Sequence, residues 1–74
     1  MSPVTMKRQQ KFTVELERED DGRWIAEIPE LPGVLTYGST ETEAIANVQA
    51  LALRVLADQI EQDGALENVH FSLA

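Results

Sequence analysis

Three stretches of the chain alternate between apolar and polar positions, and one long stretch repeats every three to four residues. In residues 11–18, Phe12, Val14 and Leu16 alternate with Thr13, Glu15 and Glu17. A period of two with one apolar face predicts a half-buried strand. Residues 23–28 alternate in the same way, with Trp24, Ala26 and Ile28 on one face and Ile25 and Glu27 on the other. Residues 67–73 place Val69, Phe71 and Leu73 on one face and His70 and Ser72 on the other. A shorter strand is expected over residues 34–38, ended by Gly38.

The connection between the first two strands carries Asp20, Asp21 and Gly22. A two-residue turn would set Leu16 against Glu27 and mix apolar with charged positions on one face. A three-residue loop pairs Leu16 with Ala26 and Val14 with Ile28, and puts Gly22 where a left-handed residue is wanted. That register also sets Glu15 opposite Glu27 on the outer face, where like charges are mildly unfavourable. Glu17 then falls beside Ile25, and Glu19 opposite Arg23. After the second strand, Pro29, Pro32 and Gly33 force a compact connection, and Leu31 is expected to plug one end of the core.

The helix signal begins at Thr40. Glu43 follows three residues later, which completes a capping box, and Glu41 and Glu43 favour the positive helix end. No glycine or proline then appears before Gly64, so one helix is predicted from about residue 41 to 62. Its apolar stripe is Ala44, Ile45, Val48, Leu51, Ala52, Val55 and Leu56. Leu53 and Ile60 fall on the flank of that stripe, where a second copy of the protein would cover them; otherwise they are scattered exposed apolar residues. The expected fold is a small two-layer α+β domain in the order β-β-β-α-β, a four-stranded sheet with one long helix on one face. Residues 1–10 show no period and are expected to form an N-terminal arm, leaving a single domain over 11–74.

Charge changes this picture from fold to function. The 74 residues hold 13 acids and 6 bases, a net charge of -7. Lys7, Arg8 and Lys11 are the only charges in the first eleven residues, so the body is more acidic than the total indicates. Such a body repels phosphate and suits a basic protein partner. Acidity also serves plain solubility. There is no cysteine and one histidine, His70, which excludes a disulfide framework, a thiolate metal site and a multi-histidine zinc site. No apolar run reaches the length of a membrane span, so a cytoplasmic location is expected. The carboxylates Glu15, Glu17, Glu19, Asp20 and Asp21 do not follow a calcium-loop spacing. Ser2, Ser39, Ser72 and His70 form no nucleophile or acid–base motif. Neither a catalytic residue nor a cofactor is expected.

Phe12–Glu17, then Glu19–Gly33 with its Pro29-Glu-Leu-Pro-Gly loop, then Thr36–Asn47 with the helix opening Thr40-Glu-Thr-Glu-Ala, resemble the HicB-like antitoxin family. The resemblance covers residues 11 to about 63. It implies a partial ribonuclease-H-like fold and a non-enzymatic antitoxin. The implied partner is a small basic HicA-type toxin that cleaves messenger RNA and is masked by the antitoxin. It also implies a homo-oligomer, a dimer or tetramer. Many such antitoxins carry a C-terminal DNA-binding domain. This sequence reads only to Ala74, so no direct nucleic-acid contact is expected. Glu15, Glu17, Asp20, Asp21 and Glu27 are the candidate partner-binding residues, and Leu53 and Ile60 the candidates for self-association. The alternative reading is a stand-alone oligomeric domain of this kind that binds another protein, without a toxin or DNA role.

Overall fold

The computed structural model describes residues 9–74. β1 spans Gln9–Arg18, β2 Trp24–Glu27, β3 Leu35–Gly38 and β4 Asn68–Leu73, and α1 spans Glu41–Asp63. The strands form one mixed sheet in the order β3-β2-β1-β4. β1 and β2 are antiparallel, as are β2 and β3, while β4 returns beside β1 in parallel. The helix is thus the crossover from one edge of the sheet to the other, the connection a parallel strand requires. The two-layer α+β fold expected from the sequence is the one observed. β1 starts earlier than the alternation indicated. Gln9 and Gln10, expected to lie in an arm over 1–10, are strand residues paired with Asn68 and Val69. Two consecutive glutamines carry no apolar period, so only their pairing with β4 reveals them. The rest of the expected arm, residues 1–8, lies outside the described residues.

The β1–β2 register is Glu15 with Glu27, Leu16 with Ala26 and Glu17 with Ile25. The hairpin loop explains it. The Gly22 N–H donates to the Glu19 carbonyl at 2.9 Å, and the Glu19 N–H donates to the Arg23 carbonyl at 2.7 Å. Gly22 has φ +91°, the left-handed residue that closes a three-residue loop. The next connection is two linked turns. The Leu31 N–H donates to the Ile28 carbonyl and the Val34 N–H to the Leu31 carbonyl, each at 3.0 Å. A proline follows the first residue of each turn, and Gly33 at φ +85° completes the second. Leu31, held between the turns, is buried with the core.

Continuing the register places Thr13 opposite Pro29, which has no N–H and ends the ladder. The Glu30 carboxylate takes the acceptor role that a facing strand carbonyl would fill for the Thr13 N–H. It accepts from the Thr13 N–H and from the Thr13 hydroxyl, both at 2.9 Å.

Thr40 caps α1 by accepting from the Glu43 N–H at 3.0 Å, and the Glu43 carboxylate accepts from the Ser39 N–H. At the other end the Gly64 N–H donates to the Ile60 carbonyl. The buried stripe of α1 is Ala44, Val48, Ala52 and Leu56, with Ile45, Leu51 and Val55 packed partly against the core. It meets Phe12, Val14, Ala26, Ile28 and Val34 of the sheet layer. Burying one side chain such as Ile28 or Val48 contributes about 1.5–3 kcal/mol. Gly38 sits where β3 runs beneath the first helical turn. A Cβ there would lie 2.4 Å from the Ala44 backbone nitrogen. Two small residues, Gly38 and Ala44, thus set how closely the helix approaches the sheet.

Candidate partner-binding face

Strand alternation sends Glu15, Glu17, Arg23, Ile25, Glu27, Leu35 and Tyr37 to the sheet face away from α1. No described element covers that face. Glu15, Glu17 and Glu27 surround the half-buried Ile25 and line an open depression of about 200 Å³. Ile25 is paired with Tyr37, and Glu27 with Leu35. Leu35 and Tyr37 are 40% and 42% exposed. The face therefore has an apolar centre bordered by three carboxylates. None of the three is in an ion pair among the described residues. The sequence places Glu15, Glu17 and Glu27 here, and the structure brings them together.

The hairpin tip is different. Asp21 is engaged locally: one carboxylate oxygen accepts from the Arg23 N–H at 3.0 Å, the other from Arg23 Nε at 2.8 Å. These bonds, the backbone one first, hold the Asp21 carboxyl below its ordinary range. The Arg23 guanidinium also stacks 4.5 Å from the centre of the Tyr37 ring. Arg23 therefore neutralises Asp21 and braces Tyr37, while the exposed Asp20 has no such partner among the described residues. Glu17, Arg18, Glu19, Asp20 and Asp21 line an open hollow of about 380 Å³ at the tip. Among the described residues, no three histidine, cysteine or carboxylate side chains come together to hold a metal ion.

The Glu30 carboxyl is likewise held below its ordinary range, first by the Thr13 N–H and with help from the Thr13 hydroxyl. It serves as the acceptor for Thr13 at the point where the β1–β2 ladder ends. Leu53 and Ile60 lie on α1, 50% and 42% exposed, on a surface separate from the acidic face. His70 is exposed on β4.

Sequence reasoning missed Leu35 and Tyr37 as part of this face. The usable signal was parity: odd positions of the third strand share a face with Ile25 once that strand pairs with the second.

No helix among the described residues is long and apolar enough to cross a membrane. No family model matches the chain, and no solved structure matches it. Two curated proteins do. A UPF0150 protein of Thermoplasma acidophilum is 33% identical over 52 residues, covering 70% of this chain and 74% of that protein. A UPF0150 protein of Synechocystis is 31% identical over 58 residues, covering 78% of this chain and 83% of that protein. On that identity and coverage the chain belongs to the UPF0150 family.

Proposed function

We propose that the chain is a protein-binding module of the HicB-like antitoxin kind. It neutralises a small basic toxin of the HicA type, an enzyme that cleaves messenger RNA, by laying its outer sheet face over the toxin's active surface. The observation that carries this reading is the uncovered face on which Glu15, Glu17 and Glu27 surround Ile25, beside Leu35 and Tyr37. A ribonuclease surface must be basic to hold RNA, and an acidic face is complementary to it. The apolar centre supplies area that loses water on contact, and the carboxylates steer approach and fix orientation. The Glu15–Glu27 juxtaposition mildly opposes folding, and it supports the same reading: a basic partner relieves the repulsion. The resemblance of residues 11–63 to HicB-like antitoxins points the same way. No chemistry by this chain is needed, because masking is steric and electrostatic.

The test is a purified HicA-type toxin from the same genome, cleaving a defined messenger RNA while the chain is titrated in. Stoichiometric inhibition is expected, lost in a Glu15→Lys/Glu27→Lys variant whose circular dichroism is unchanged. Cleavage unaffected by an excess of the folded chain would refute the reading.

A further inference from the structure

The two edges of the sheet are treated differently. On β3, the Ile28 N–H to Val34 carbonyl bond sets even residues toward β2, so the backbone groups of Leu35 and Tyr37 face the open edge. That edge is partly closed: Asn47 of α1 donates from Nδ2 to the Tyr37 carbonyl at 2.9 Å. On β4, the Ala74 N–H donates to the Val14 carbonyl at 3.0 Å, so even residues of β4 face β1. The backbone N–H and C=O groups of Val69, Phe71 and Leu73 therefore point outward, with no strand beside them in the described sheet.

Among the described residues, β4 also lacks the usual protection of an edge. Its six residues, Asn68 to Leu73, include no lysine, carboxylate or proline, in a chain with 13 acids. The helix does not shield it. Asn47 ties one flank of α1 to the β3 edge, and α1 packs mainly over β3 and β2. Val69 and Leu73, on the helix side of β4, stay 37% and 61% exposed.

The strand is also self-complementary. Two copies laid antiparallel about a two-fold axis at Phe71 pair Phe71 with its own copy, and Val69 with Leu73 of the second copy. Every apolar side chain of β4 then lies beside another on the same face. The same register joins the residues whose backbone groups point outward, so no hydrogen-bonding group is misplaced. His70 falls beside Ser72 of the second copy on the outer face. The chain carries a net charge of -7, and this strand carries no charge to oppose the approach of a copy.

We propose that β4 is a homodimer seam, at which two copies of this chain join their sheets into one of eight strands through antiparallel β4–β4 pairing centred on Phe71. The seam lies at the sheet edge, so each copy keeps its own acidic face, and the proposal stands apart from the identity of any toxin.

Sedimentation of the full chain at concentrations on the order of 100 μM should give twice the 8.2 kDa chain mass. Register is read by cross-linking, since the chain has no cysteine of its own. His70→Cys with Ser72→Cys in one chain should oxidise to a covalent dimer, while either substitution alone should not. Val69→Pro removes an outward N–H, which a lone edge strand tolerates, and should leave a folded monomer. A wild-type monomer, an efficient cross-link by His70→Cys alone, or a Val69→Pro chain that still dimerises would each overturn the seam.

Discussion

Gly38→Ala tests how the helix is seated on the sheet. The added Cβ would meet the Ala44 nitrogen at 2.4 Å, the Ala44 Cα at 2.8 Å and the Glu43 carbonyl carbon at 2.9 Å. All three are backbone atoms of the first helical turn, so no side chain can rotate away. Ordinary contact lies near 3.5 Å, so the turn must rise by roughly 1 Å. That lift pulls on the Thr40–Glu43 cap and loosens Ala44 and Val48 from the core. Overpacking of this kind costs about 1–3 kcal/mol, and the backbone clash argues for the upper end. A domain of this size has a total stability on the order of 4–11 kcal/mol. Its melting temperature should therefore fall by roughly 10 °C or more. Urea unfolding followed by far-ultraviolet circular dichroism measures the loss, with Gly64→Ala as a control whose Cβ meets nothing within 4 Å. Gly64 has φ +98°, so that control reports backbone strain without a clash. A Gly38→Ala chain within 0.5 kcal/mol of wild type would refute the close approach, a threshold set by ordinary surface substitutions of about that size.

Three further outcomes follow from the same contacts. Thr36→Val should raise stability by about 1 kcal/mol in urea titration, because the buried Thr36 hydroxyl has no hydrogen-bond partner among the described residues; a loss would contradict this. Thr40→Ala should cost about 1 kcal/mol by removing the acceptor for the Glu43 N–H, and Thr40→Ser should restore most of it. Glu30 has a folded pKa below its ordinary 4.5, so its contribution is present above that value and is lost as pH falls through the folded pKa. Urea midpoints from pH 6 down to 3 should therefore fall less for Glu30→Gln than for wild type, and equal slopes would count against the Thr13 bonds.

Local rules made much of this fold readable. The capping box located the helix start because Thr40 and Glu43 act within one turn. The β1–β2 register was legible because only a three-residue loop keeps Val14 and Leu16 on the face of Ala26 and Ile28. What escaped was set by contacts between distant segments. Glu30 reaches Thr13, 17 positions away, only after the turn at Pro29. Gly38 reads as a strand end, and its approach to Ala44 appears only when the helix is seated. Of the candidate acidic residues, Glu15, Glu17 and Glu27 were placed on one face by parity alone. Asp21 looked equally available, but Arg23, two residues on, folds back to neutralise it. The apolar partners Leu35 and Tyr37 needed the β2–β3 pairing, which no turn signal in the Pro29–Gly33 connection specifies.

An acidic outer face that meets a basic partner leaves a kinetic signature. The most direct measurement is the association rate of the chain with a HicA-type toxin, by stopped flow, across a salt series. Charge steering requires the wild-type rate to fall steeply as salt rises, and Glu15→Lys/Glu27→Lys to slow association at least tenfold at low salt while keeping its fold. Equal rates for the two chains, with no dependence on salt, would mean that this face does not steer a basic partner.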